Sequence, residues 1–119
     1  MRTLIVGASN KKIRYSYKAL KSLQKKGFEV VLLHPKLKEI DGIPVYNNFS
    51  EIKNKIHTVT LYVNKKVSQK MEEDIIKLNP KRVIFNPGTE NDNLKNKAIQ
   101  KGITPVYACT LIMLSTGQY

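Results

Sequence analysis

The sequence predicts an α/β fold, a three-layer doubly wound domain with a five-stranded parallel sheet. Three observations carry that prediction. Five short apolar runs alternate with segments of helical spacing. The first, Thr3 to Val6, shows no polar alternation, as expected of a strand covered on both faces. Turn residues, among them Gly27, Gly88 and Gly102, punctuate the chain between them. Strands that alternate with helices imply parallel pairing through right-handed crossovers.

Thr3 to Val6 is the first strand, and Gly7 breaks it. Ser16 can cap a helix to Lys26, with Ala19, Leu20 and Leu23 inward and Gly27 as its stop. Phe28 to Leu33 is the second strand and ends at His34-Pro35-Lys36. Asp41-Gly42 marks a turn, Pro44 to Tyr46 is a short extended piece, and Ser50 can cap a brief helix to about Lys55.

Thr58 to Val63 is the third strand. Asn64 caps a helix whose inner face is Val67, Met71, Ile75 and Leu78, and Pro80 ends it. Arg82 to Phe85 is the fourth strand, closed by Asn86-Pro87-Gly88. Thr89 and Asp92 have capping-box spacing for a helix carrying Leu94, Ala98 and Ile99. Thr104 to Tyr107 is the fifth strand, and Thr110 to about Leu114 makes one or two helical turns.

The 119 residues make one domain over 1–119, with 41% hydrophobic and 25% charged residues, a globular composition. Met1 leads directly into strand sequence, with no signal-peptide pattern, and no apolar run suits a membrane span. The single Cys fits a reducing compartment, so the expected location is cytoplasmic. The net charge of +12, from 21 basic against 9 acidic residues, makes this a basic protein and favours anionic partners. Nucleic-acid binding predicts cations gathered in one stripe with interleaved aromatics. Here Lys18, Lys53, Lys70 and Lys95 spread over every helix, which makes nucleic acid an unlikely partner.

In doubly wound sheets ligands bind outside the C-terminal strand edge, where strand order reverses. That rule selects the loops Gly7 to Ser16, His34 to Lys38, Tyr62 to Lys66 and Asn86 to Glu90. A strand, a Gly turn and a helix N-terminus form a ready anion site, so the domain reads as Rossmann-like and nucleotide-binding. The first loop carries Ser9, Asn10, Lys11, Lys12 and Arg14, with Tyr15 and Tyr17 bracketing Ser16, and reads as a phosphate clamp. The amides of Ala8 to Asn10 are expected to face the phosphates, and Gly7 to be glycine because the ligand approaches it closely. A nicotinamide dinucleotide fingerprint would need G-x-G-x-x-G and an acid at the end of strand two. Ser9 and Lys12 stand at the second and third Gly positions, and strand two ends on His34-Pro35-Lys36. NAD is therefore disfavoured. A cation there suits a phosphorylated adenosine ribose, as in NADP or coenzyme A.

The three loops G-A-S-x-x-x-x-R-x-S-Y, H-P-K and N-P-G-x-E resemble the stand-alone CoA-binding domain family, and with it the nucleotide-binding domain of succinyl-CoA synthetase α subunits. The resemblance spans essentially the whole chain. It implies a coenzyme A or acyl-CoA ligand whose phosphates lie at Gly7, Ala8, Ser9, Asn10, Arg14 and Ser16. Pro35 and Lys36 would lie by the adenosine 3′-phosphate, and Tyr62 and Val63 on the adenine and ribose side. Lys12, Tyr15, Tyr17, His34, Asn86, Pro87 and Gly88 complete the candidate site, with His34 as a hydrogen-bonding partner of the ligand. Departures are Ile84 and Asn86, where many relatives carry Trp and Gln, and Ala108, Thr110 and Met113 around the kept Cys109.

Cys109 reads as a small buried apolar residue, and the competing reading is a thiol that pairs with that of coenzyme A. Glu72, Glu73 and Asp74 read as a solvated helix face. No catalytic constellation or metal-ligand spacing is found. A synthetase would also need a phosphoryl-transfer histidine, a second α/β domain and an ATP-grasp site. The sequence reading is therefore a non-catalytic module with a CoA-type ligand, no membrane partner and homodimerisation left open. Its rivals are a small NADP-dependent reductase and, further off, a nucleic-acid-binding protein.

Overall fold

The computed structural model describes residues 1–119. β1 (Arg2–Val6) leads through the Gly7 turn to α1 (Tyr15–Lys25), then β2 (Glu29–Leu33), β3 (Glu39–Ile40), β4 (Ile43–Tyr46) and a 3-10 turn (Phe49–Glu51). β5 (Thr58–Leu61) follows, then α2 (Lys65–Ser68), α3 (Glu72–Lys77), β6 (Arg82–Phe85), α4 (Asp92–Gln100), β7 (Thr104–Tyr107) and α5 (Thr110–Ser115). The sheet order is β3-β4-β2-β1-β5-β6-β7. All neighbours are parallel except β3 with β4.

The class is the α/β Rossmann-like one expected, with seven strands in place of five. The extended piece at Pro44 joins β2 as a sixth parallel strand, Leu32 opposite Val45. Asp41 and Gly42, at φ 50° and 82°, reverse the chain so that Ile40 pairs with Ile43. Two successive positive φ angles are what a two-residue hairpin turn requires.

Strand alternation builds two cores. Leu4, Val6, Val31, Leu33, Val59, Leu61 and Phe85 face α3 and α4, through Ile75, Leu94 and Ala98. Ile5 and Leu32 face the opposite way, onto Leu20 and Leu23 of α1 and Leu114 of α5. At the far edge Thr104 and Ala108 donate inward to Lys81 and Phe85. Pro105 therefore points outward, at a position where an N–H would otherwise invite another strand.

Several boundaries differ from those read in the sequence. Arg14, not Ser16, is the N-cap residue of α1, and Ser16 is buried within the first turn. Asn91 caps α4, its Oδ1 accepting from Leu94 N–H at 3.1 Å, while Thr89 donates its hydroxyl to the Asn86 carbonyl. Asn48, not Ser50, caps the 3-10 turn, reciprocally with Glu51, and that turn ends at Glu51. The helix expected from Asn64 to Leu78 is two helices. Its apolar spacing runs through, but Lys70 and Met71 donate three residues back, to Val67 and Ser68, so the chain tightens and restarts at Glu72.

That restart turns Glu72 inward, which corrects its placement on a solvated face. Its carboxylate, 4% exposed, accepts from Asn91 Nδ2 at 3.0 Å and Asn93 Nδ2 at 2.7 Å and pairs with Lys97 at 3.1 Å. Burial pushes the carboxyl up, but the bonds from Asn91, Lys97 and Asn93 outweigh it and leave Glu72 below its ordinary value of 4.5. Three acidic residues in the first turn of α3 also suit its dipole.

Gly7 sits at φ 88°, and a Cβ there would come within 2.8 Å of Val63 Cγ1 and 2.9 Å of the Tyr62 carbonyl oxygen. The space is filled by the chain's own β5 end, which corrects the expectation that a ligand fills it. Gly7→Ala is therefore expected to lower the melting temperature. The left-handed backbone alone costs roughly 1–3 kcal/mol, and the collision adds to it. Gly102→Ala, at φ 75° with open space around it, carries only the first penalty. Equal melting shifts for the two variants would refute the close approach.

For Glu72 the sign follows from a folded pKa below the unfolded one. Its stabilisation is complete above about 4.5 and is lost as pH falls through the folded value. Glu72→Gln should lose about 1–3 kcal/mol at neutral pH and flatten the acid limb in denaturant titrations. An unchanged acid limb would contradict the network.

Candidate functional site

The strand order reverses between β1 and β5. Above their C-terminal ends lies a cleft of about 1160 Å³, somewhat larger than the usual small-molecule site of roughly 300–1,000 Å³. Its first wall is the β1–α1 turn. Gly7 and Ala8 donate their N–H groups to the Leu33 carbonyl, at 3.2 and 3.1 Å, which ties the turn to β2. The Ala8 amide is therefore engaged, against expectation. Ser9 and Asn10 N–H, and those of Lys12, Ile13, Tyr15 and Ser16, have no acceptor within the protein. No side chain caps α1 and no acidic residue lies in its first turn. Unpaired amides at the positive end of a helix dipole favour an anion.

The second wall is the loop after β2. His34 Nδ1 accepts from the N–H groups of Lys36 and Leu37, at 3.0 and 3.1 Å. Asn47 Nδ2 donates to the carbonyls of His34 and Leu37, each at 2.8 Å. The third wall is the β5 end, where Val63, Asn64, Val67 and Met71 face the cleft. Lys11, Arg14 and Lys36 line it against one carboxylate, Asp74. The lining is thus cationic at the turn and the β2 loop, and largely apolar along β5.

Fourteen of the candidate residues line this one cleft: Gly7, Ala8, Ser9, Asn10, Arg14, Tyr15 and Ser16 from the turn, His34, Pro35 and Lys36, Tyr62 and Val63, and Pro87 and Gly88. Three do not. Lys12 is exposed outside it. Tyr17 is buried on the α1 side of the sheet and donates its hydroxyl to Asp41 at 2.6 Å. Asn86 is buried as a tie between elements. Its Nδ2 donates to Thr60 Oγ1 and the Leu61 carbonyl, and its Oδ1 accepts from Thr110 N–H. A short polar side chain satisfied on every side has nothing left for a ligand.

Asn47, Asn48, Phe49 and Ser50 line the cleft and escaped the sequence reading. They follow β4, and treating Pro44 to Tyr46 as a full parallel strand would have placed them on the ligand edge by the same rule. Cys109 is half-buried, not fully buried as expected, and lies outside the lining, just before α5. Burial pushes the Tyr62 phenol up to about 12, and the nearby hydroxyls of Thr60 and Thr110 face each other. Those two hydroxyls bond each other at 2.8 Å and leave Tyr62 Oη without a partner. His57 lies at the opposite sheet edge against Thr58, its pKa lowered by burial and by Arg82. No helix is long and apolar enough to cross a membrane.

Among solved structures, an uncharacterized protein shares 40% identity, with a TM-score of 0.90 over 99% of this chain and 97% of that one. A hypothetical protein from Pyrococcus horikoshii OT3 shares 30% identity at a TM-score of 0.90, over 96% of this chain and 81% of its own. The dinucleotide-forming acetyl-coenzyme A synthetase 1 of Ca. Korarchaeum cryptofilum matches 90% of this chain at a TM-score of 0.74 and 20% identity. That likeness is one of fold and covers a quarter of the synthetase, 25% of its chain. A search of curated protein sequences finds no match. The family model described as "CoA binding domain" matches residues 1–115. With that match over nearly the whole chain, the protein belongs to the CoA-binding domain family.

Proposed function

We propose that the protein binds coenzyme A or an acyl-CoA in the cleft above β1 and β5, as a module without chemistry of its own. The observation that carries this reading is the set of unpaired amides at the uncapped start of α1, facing a cleft that also presents Lys36. Coenzyme A has a pyrophosphate and a separate 3′-phosphate, so it needs two anion sites joined by a groove. The amides of Ser9, Asn10 and the first turn of α1, with Arg14, take the pyrophosphate. Lys36, with Pro35 beside it, takes the 3′-phosphate. Tyr62 and Val63, with Val67 and Met71, offer the apolar surface for the adenine and ribose side.

The non-catalytic part of the proposal follows from the titratable groups on the cleft wall. Asp74 stands alone as a carboxylate there. His34 Nδ1 is committed to backbone amides, and the high pKa of Tyr62 keeps its phenol protonated at neutral pH. No general acid and base stand together. Lys12, Tyr17 and Asn86 are left out of the proposed contacts.

Calorimetry should show 1:1 binding of coenzyme A, tighter than of NAD, since the loop after β2 carries the cation Lys36 and no carboxylate awaits the ribose. Dephospho-CoA should bind more weakly, and Lys36→Ala should remove most of that difference. A charge-assisted contact is worth roughly 1.5–3 kcal/mol, so the loss is about tenfold or more. NAD binding as tight as coenzyme A would overturn the ligand assignment, and unchanged discrimination in Lys36→Ala would overturn that of Lys36.

A further inference from the structure

We infer that His34 and Asn47 are positioning residues that set selectivity for the terminal phosphate by fixing the backbone of Lys36, without touching the ligand. The inference rests on the proposed placement of the 3′-phosphate at Lys36. Four hydrogen bonds converge on a four-residue loop, two onto one ring nitrogen and two from one side-chain amide. His34 Nδ1 accepts from residues two and three positions later, the pattern by which Asn and Asp side chains close their own turns. Accepting at Nδ1 places the ring hydrogen on Nε2. Asn47, on the segment after β4, closes the loop from the other side through the carbonyls of His34 and Leu37.

The consequence for recognition is specific. Helix N-termini and loop amides bind phosphate without regard to what else the ligand carries. Here the amides of Lys36 and Leu37 are turned onto the imidazole and are taken. The loop then withholds those two amides from a phosphate and presents the Lys36 ammonium from a main chain with little freedom to move. Held still, that charge recognises one position on the ligand. Released, the loop would expose two amides and a wandering cation, and would accept the rest of the ligand equally well with or without its 3′-phosphate.

The test compares the ratio of coenzyme A to dephospho-CoA affinity in five chains, the wild type and four variants including Lys36→Ala, by calorimetry, with thermal melting to confirm folding. His34→Leu and Asn47→Ala should bring the ratio from about tenfold toward one while dephospho-CoA still binds. His34→Asn should restore it, because Asn Oδ1 stands where His Nδ1 stands and accepts the same two amides. A merely structural histidine would not be rescued in selectivity by so much smaller a side chain. Ratios equal to wild type in His34→Leu, or a ratio lost in His34→Asn as in His34→Leu, would overturn the inference. If Lys36→Ala lowers the ratio and His34→Leu does not, the role of His34 falls alone. A wild-type chain that does not discriminate the two ligands overturns the placement at Lys36 and this inference with it.

Discussion

The contact between Gly7 and the carbonyl of Tyr62 sets the geometry on which the cleft depends. β1 and β5 are neighbours in the sheet although three strands, β2, β3 and β4, intervene between them in the chain. At that junction the chain must leave β1, turn sharply and start α1, while the end of β5 passes beside it. A left-handed Gly7 makes the turn, and the missing Cβ lets the two ends come together. Because they touch, the crevice opens above them and not between them. The amides of Ser9 and Asn10, the start of α1 and the end of β5 then face one shared space.

The electrostatics are more local than the net charge suggests. A charge of +12 raises the concentration of every anion near the surface and selects none. Exposed charges more than about 8–10 Å apart are screened at physiological salt, so Lys residues scattered on the helices contribute little to any one site. What distinguishes the cleft is the coincidence of uncapped helix amides with Lys11, Arg14 and Lys36. Some cations elsewhere are paired or stacked. Lys97 is held by Glu72 and Glu73, and the Arg82 guanidinium lies 4.3 Å from the Tyr119 ring.

Much of this was legible in the sequence because it rests on short-range pattern. The five principal strands are short runs rich in apolar residues, and β-branched residues such as Val59 and Val83 mark them. Four loops of the cleft follow from the rule about strand ends. The remainder depended on partners distant in the chain. Asn86 stands in a loop that lines the cleft, yet its bonds run to Thr60, Leu61 and Thr110, 24 to 26 residues away. Glu72 shares a run of three acids, and only the restart of the helix at α3 turns it toward Asn91. Likewise, β3 and β4 are too short to show a period, and their pairing comes from the Asp41-Gly42 reversal.

The asparagines show how such a small domain keeps its cleft in one shape. Asn47 ties the loop after β2, Asn64 caps α2, Asn86 ties β5 and β6 to α5, and Asn91 caps α4 while donating to Ser68 and Glu72. Each of these side chains accepts or donates at loop ends, where backbone groups lack ladder partners, and an amide can do both at once. Leu or Val could fill the same volumes but would leave those groups unpaired, at about 1–3 kcal/mol each when buried. The bonds therefore stabilise the loops before any ligand arrives. Binding to loops already ordered spares the conformational entropy of fixing them, which raises affinity without any added contact. The same order narrows what fits, because a held loop cannot adjust to a ligand whose phosphates are spaced differently.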